Sequence, residues 1–450
     1  MSGRTPSLVS RALPWRRPSE GDAPQPGGTF RALRHRNYRL FYTGQSISLC
    51  GTWMQTIAQA WLVLQITDSK VALGTVTMLQ FLPITIFVLF AGVIADRVPK
   101  RNFLVATQLL AMAQALTLAV LVWSGHVQLW HVYALALVLG LANAFEQPVR
   151  QSFVIEMVGR EDLMNAVALN SGMFNGARLI GPAIGGFVIA SVGVKMAFLV
   201  NGFTFIPVIV GLLMMDTSSL HAAPRKEGRI DPIGELREGL SYAFRTPSAM
   251  LIVILVAVIG TFGYNFTVML PLVTRYVLDS GEVALGFMTG AVGLGALISA
   301  LSLATRATVT RRMLFVGGAA FALLLAGVAL SQWLWLTLAI LLFLGIANTA
   351  FASTANTSLQ LTTPDHLRGR VMGLYMLLFA GSTPIGGYLT GVLSEKFGVS
   401  TAIGIEAALC LVGVAIGLAY YLTHRQEVGE TAMASDMGVA QSPDTSTTKA

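Results

Sequence analysis

Charge is what this chain has least of. Only 12% of its 450 residues are Asp, Glu, Lys or Arg, while 54% are hydrophobic. A soluble domain needs about a quarter of its residues charged to cover its surface, so a fully water-covered exterior is excluded. Cysteine is scarce as well. Cys50 and Cys410 both lie in apolar runs, so no disulfide framework is expected and both read as small buried hydrophobes. No Gly-x-x-x-x-Gly-Lys-Ser/Thr phosphate loop occurs, which excludes ATP hydrolysis by the chain itself. No His-Glu-x-x-His or other metal cluster occurs, so neither a metal, a cofactor nor a catalytic residue is expected. All six histidines fall in loops or tails, and the clustered intramembrane acids of an embedded enzyme are missing. Residues 1–39 are rich in Pro, Gly and Arg and lack the apolar core of a signal peptide. The amino terminus is therefore expected in the cytoplasm.

What is present is apolar length. Mean hydropathy is +0.66, and runs long enough to cross ~30 Å of hydrocarbon recur along nearly the whole chain. Backbone groups in lipid must bond internally, so these runs are helices. Twelve spans are read near 40–64, 72–95, 103–123, 131–150, 163–190, 194–215, 249–272, 284–304, 313–331, 334–357, 370–393 and 399–422. Twenty-five of the 30 Lys and Arg then fall in the two termini and the even-numbered connections. Four fall on the other side (Lys70, Lys195, Arg275, Lys396), and Arg178 lies within a span. That bias puts both termini in the cytoplasm of a multi-pass bacterial inner-membrane protein. The basic balance is thus a topology signal and does not point to nucleic acid.

The chain also repeats itself. Leu139-Gly140-Leu141-Ala142-Asn143-Ala144 returns as Leu344-Gly345-Ile346-Ala347-Asn348-Thr349, and Gly181-Pro182-Ala183-Ile184-Gly185-Gly186 is echoed by Thr383-Pro384-Ile385-Gly386-Gly387. Two echoes in one order imply two parallel six-helix repeats with a solute site between them. The expected organisation is a cytoplasmic segment (1–39), a first bundle (40–215), a central loop (216–248), a second bundle (249–422) and a disordered tail (423–450). Within the central loop, Asp231 as N-cap, Pro232 and the Thr246-Pro247 stop delimit a short helix. Its apolar residues Ile233, Leu236, Leu240 and Phe244 share a face, as in an interfacial helix.

The loop after the second span reads Gly92-Val93-Ile94-Ala95-Asp96-Arg97-Val98-Pro99-Lys100-Arg101. It resembles the Gly-x-Leu-Ala-Asp-Arg-x-Gly-Arg-Lys signature of the major facilitator superfamily, with Ile94 and Pro99 as departures. The resemblance implies an all-α membrane fold of about twelve helices in two six-helix pseudo-symmetric bundles, and transport of small molecules. It also implies a cytoplasmic gate built on Gly92, Asp96, Arg97, Lys100 and Arg101, with Glu146 as a partner for the cations. A simple topology anchor is the alternative. The loop from Thr305 to Arg312 keeps the cations and lacks the acid. Gly181, Pro182, Gly185 and Gly186 resemble the core of the superfamily's exporter motif, a hinge at the domain interface; tight packing explains the same letters. Residues 142–151, 165–171 and 174–178 resemble one branch, the group containing the bacterial enterobactin exporter.

Candidate solute contacts follow from polar residues placed in apolar helices. Gln45, Ser48, Thr52, Gln55 and Gln59 form one stripe on the first span, fit either to line a cavity or to bond helices together. Arg178 shares a face with Ser171 and Asn175, and both an anionic or carbonyl-rich substrate and a structural hydrogen-bond hub fit that face. Tyr264 and Asn265 mark the seventh span; Thr349, Ser353 and Asn356 stripe the tenth. Glu406 is the one carboxylate well inside a span, either a coupling group for protons or a locally paired acid. The expected function is export of small amphipathic compounds, siderophore-like or drug-like, by alternating access with proton coupling; uptake symport on the same fold is the alternative. The expected partners are the substrate, protons and the bilayer, and the expected working unit is a monomer.

Overall fold

The computed structural model describes residues 28–221, 232–304 and 310–424. No strand occurs among them, and they form fifteen α-helices. The first six are α1 (Arg36–Thr67), α2 (Lys70–Arg97), α3 (Lys100–Trp123), α4 (Leu129–Val158), α5 (Leu163–Val192) and α6 (Val194–Leu213). A short helix α7 (Pro232–Arg245) follows. The second half comprises α8 (Pro247–Gly263), α9 (Phe266–Tyr276), α10 (Glu282–Ala304), α11 (Arg311–Leu330), α12 (Leu334–Thr362), α13 (Asp365–Phe379), α14 (Thr383–Phe397) and α15 (Val399–Thr423).

Eleven segments are long and apolar enough to cross a membrane, with α8–α9 and α13–α14 each counted as one. The twelfth is α1, which runs 32 residues and owes its lower apolarity to the polar stripe it carries. The array is the expected pair of six-helix bundles. Helices α1 to α6 pack among themselves, α8 to α15 likewise, and the halves meet chiefly through α5 on α10 and α2 on α14. Four tryptophans, Trp123, Trp130, Trp333 and Trp335, stand exposed at one end of the bundle. They flank the α3–α4 connection and its counterpart α11–α12, where an indole can sit among lipid headgroups. We call this the far end, and the end carrying Arg36 and Thr423 the terminal end.

Two spans expected as single helices are broken. The run 249–272 is interrupted at Tyr264–Asn265, where the Asn265 side chain donates 2.9 Å to Thr261 O and so replaces a backbone N–H. The run 370–393 breaks at Ala380–Ser382. Pro384 has no N–H for Ala380 O, and the Thr383 N–H reaches it instead at 3.3 Å. The breaks touch: Gly386 packs against Thr261 O with no room for a methyl group.

At the terminal end, Asp162 ahead of α5 takes Arg31 and His35, pinning the start of the described chain to the α4–α5 turn. Helix α7 lies on α13 through a Glu238–Arg370 ion pair, and the Tyr242 hydroxyl donates 2.7 Å to Thr362 O. Ala243 is buried, whereas Leu240 (39%) and Phe244 (63%) stand exposed. The N-cap reading at Asp231, the missing acid at Thr305 and the tail beyond 424 lie outside the described residues.

Candidate functional site

Glycine sets how closely the halves approach. A methyl group on Gly186 of α5 would lie 2.7 Å from Glu282 O, and one on Gly286 of α10 would lie 2.7 Å from Pro182 O. The second contact repeats the first. A methyl group on Gly74 of α2 would lie 2.7 Å from Gly387 O, and one on Gly391 of α14 would lie 2.7 Å from Lys70 O. Both seams lie toward the far end. Gly181 and Gly185 turn to the other side of α5 and seat it on Cys50, Trp53 and Met54 of α1. The Gly-Pro segment therefore does packing work on two faces, and α5 stays one continuous helix through Pro182.

An ionic clasp closes over these seams. Arg275 pairs with Asp68 at 2.9 Å, and the Tyr276 hydroxyl donates 2.7 Å to the same carboxylate. Lys70 lies 3.8 Å from Glu395, and its ammonium stands 4.4 Å from the Tyr276 ring centroid. Asp68 holds a left-handed backbone (φ 51°) at the α1–α2 turn. The hydrogen bond from Tyr276 holds its carboxyl below the ordinary value, with Arg275 acting in the same direction. None of these residues was singled out from sequence. Lys70, Arg275 and Glu395 look like solvated loop charges until folding joins positions over 200 residues apart.

Between the halves, below the clasp, lie two contiguous chambers. The first holds about 1120 Å³ of empty space, counting the part open to solvent. Its walls include Trp53, Phe81, Phe266 and Phe379, with Arg178, Tyr264 and Asn348 among its polar residues. The broken helices line it through Tyr264, Phe379, Ala380 and Thr383, which is where unpaired backbone is tolerated at membrane depth. The second chamber shares Trp53, Thr56 and Phe81 with the first and runs along α1, α2 and α4 past Gln45, Thr52, Gln59 and Asn143 to Glu146 and Arg150, toward the terminal end. Asn143 and Asn348, partners in the sequence repeat, thus face the solute space from opposite halves.

Several sequence-picked residues lie elsewhere. Gln55 is buried away from both chambers, donating 2.9 Å to Gln114 Oε1 and accepting 2.6 Å from Asn201 Nδ2. It bonds helices. Asn175 donates to Ser171 O at 2.9 Å and lines neither chamber. Asn265 spends its amide N–H on its own helix break. Thr349, Ser353 and Asn356 miss the chamber walls, with Asn356 accepting 2.6 Å from Gln360, and Asn348 takes their place one residue earlier. A one-residue error on a helix is a turn of ~100°, which periodicity on a polar stripe cannot resolve.

The expected gate residues divide. Lys100 pairs with Glu156 at 2.5 Å and not with Glu146. Arg101 donates 2.7 Å to both Leu212 O and Leu213 O, capping the carboxyl end of α6. Glu146 instead takes Arg150 at 3.5 Å and Gln108 at 3.3 Å. Gly92 and Asp96 fall in the last turns of α2, and their side chains lie outside the described residues; Arg97 is exposed. Glu406 is 1% exposed, touches neither chamber and accepts a hydrogen bond from Thr390 of α14.

Arg178 is half-buried in the chamber wall. Its guanidinium lies 5.8 Å from the Trp53 ring centroid, and no hydrogen bond or ion pair to it occurs among the described residues. A charge at this depth costs at least ~2.5 kcal/mol unless a cavity or partner receives it.

Two related bundles around a largely apolar chamber, closed at one end, have the layout of a membrane transporter. The profile of the family described as "Transmembrane secretion effector" matches residues 27–442, and the chain belongs to this family of the major facilitator superfamily. It is similar to the multidrug efflux pump Tap of Mycolicibacterium fortuitum, with 28% identity over 81% of this chain and 91% of that protein. It is also similar to the staphyloferrin A transporter of Staphylococcus aureus, with 23% identity over 86% and 96%. Among solved structures, the nucleoside transporter NupG superimposes with a TM-score of 0.69 at 12% identity, covering 86% of this chain and 99% of that one, which shows the shared fold.

Proposed function

We propose that this chain exports small amphipathic molecules, siderophore-like or drug-like, across the bacterial inner membrane by alternating access, driven by the proton gradient. The observation that carries the reading is the two-chamber cavity, sealed at the far end by two glycine seams and an ionic clasp and running toward the terminal end. The Lys/Arg bias supports a cytoplasmic terminal end, so this state is one that loads from the cytoplasm. The name of one relative, a multidrug efflux pump, supports the same direction, and that of another, a staphyloferrin A transporter, supports the siderophore-like substrate range. So does the branch resemblance of residues 142–178. One chain supplies both halves and the whole cavity, which supports a working monomer.

Loading would bring a solute past Glu146 and Gln59 to the aromatic chamber at Trp53 and Tyr264. Rocking of the halves would then part the seams at Gly186 and Gly74 and close the terminal end, where the Asp96 loop is the gate. Glu406 is the coupling group in this reading. Cells carrying the gene should retain less of an amphipathic dye or siderophore than cells lacking it, and a protonophore should abolish the difference. Higher retention in the expressing cells contradicts export. Asp96→Asn should cut transport far more than membrane abundance; equal losses would assign the acid to folding.

A further inference from the structure

We infer that the aromatic chamber selects amphipathic anions, a carboxylate on an apolar body, and that Arg178 is the residue that receives the carboxylate. The inference rests on the transport reading above and narrows its substrate class.

Among the residues lining this chamber Arg178 is the sole charged one. A guanidinium offers five N–H donors in a planar fork matched to a carboxylate. Here none of them meets a protein acceptor among the described residues; the partner it has is the Trp53 ring. The nearby acid of the second chamber is already engaged, since Glu146 holds Arg150 and Gln108. The chamber therefore presents uncompensated positive charge. A cationic solute would be desolvated beside a like charge, whereas an anion completes the pair.

The rest of the wall describes the body of that anion. Phe81, Phe266 and Phe379 with Trp53 give flat apolar surface. Of its polar side chains, Tyr264 and Asn348 keep a buried atom, Oη and Oδ1, with no hydrogen-bond partner among the described residues. Trp53 itself is fixed from behind by Gly181, where an added methyl would lie 2.7 Å from its Cβ. The indole and the guanidinium 5.8 Å from its centroid thus share one wall of the chamber.

The test uses the full chain in lipid nanodiscs and three fluorescent probes on one dansyl body: N-dansyl-leucine, a carboxylate; N-dansyl-leucinamide, its neutral match; and dansylcadaverine, a cation. The carboxylate should bind at least about ten-fold tighter than either of the others. In Arg178→Gln the acid-to-amide ratio should fall to within about two-fold, and Arg178→Lys should keep part of the preference. Equal or tighter binding of the amide or the cation by the wild-type protein overturns the inference, as does an unchanged ratio in Arg178→Gln or the binding of none of the three. The wild-type comparison stands even if a variant fails to fold. Binding in nanodiscs is blind to direction, so failure here is separate from failure of the export reading, which cell retention decides.

Discussion

Glu406 and Gln55 show how differently two buried polar residues can be placed. Glu406 has Thr390 as its hydrogen-bond donor on α14, the helix that carries Gly387 and Gly391 into the α2 seam. A change in its protonation would be felt first at that seam. Glu406→Gln keeps an acceptor for Thr390 and removes the titrating group. The protein should reach the membrane at normal levels, lose transport driven by a pH gradient, and retain downhill exchange of substrate in proteoliposomes. Gln55 instead joins α1 to α3 and α6. Gln55→Leu leaves Gln114 and Asn201 without their partner and should cost about 1–3 kcal/mol of stability, read as a lower melting temperature, with probe selectivity unchanged. Which of two glutamines on one stripe glues and which lines the cavity depends on the rotation of α1 against its neighbours. Gln45, Gln55 and Gln59 read alike in the sequence because all three have the same chemistry and spacing, yet Gln45 and Gln59 line the second chamber and Gln55 does not.

At the scale of elements, the seams decide whether the far end can close. Gly186→Val puts a branched side chain where a single methyl is already 2.7 Å from Glu282 O. The far end should be held ajar, so a cysteine probe placed near Glu282 becomes reactive toward a membrane-impermeant thiol reagent while transport falls steeply. The clasp adds a pH dependence whose sign follows from Asp68. Its carboxyl is lowered in the clasped state, chiefly by the Tyr276 hydrogen bond. A lowered value means stabilisation that is complete above the ordinary carboxylate range and lost as pH falls through the depressed value, that is, below about pH 4. Acidifying the far side that far should therefore raise the same thiol reactivity, and Asp68→Asn should raise it at neutral pH and remove the dependence. The helix breaks belong to this scale too. Their ingredients, Gly381 with Pro384 and Asn265 after Tyr264, are visible in the sequence. Their meeting against Thr261 is a product of packing α14 on α8.

For the whole molecule, alternating access requires Lys70 and Glu395 to part once per cycle. In a background where Cys50 and Cys410 are replaced, Lys70→Cys with Glu395→Cys should crosslink on oxidation. Transport should then stop and return on reduction; persistent transport by crosslinked protein would contradict rocking of the halves. The clasp joins positions 325 residues apart, and no local pattern marks it.

Apolar run length, the duplicated Leu-Gly-x-Ala-Asn segment with the echo of Pro and Gly-Gly behind it, and the segregation of Lys and Arg were enough by themselves to establish the membrane helices and the two halves. Each reflects one-dimensional physics: hydrocarbon thickness, internal duplication and the bias of cations to one side. Tertiary structure alone decided which polar atoms face the chamber, where the helices break and which distant charges clasp the far end. Those depend on helix rotation and on contacts across the halves, and neither is encoded in periodicity along a single span.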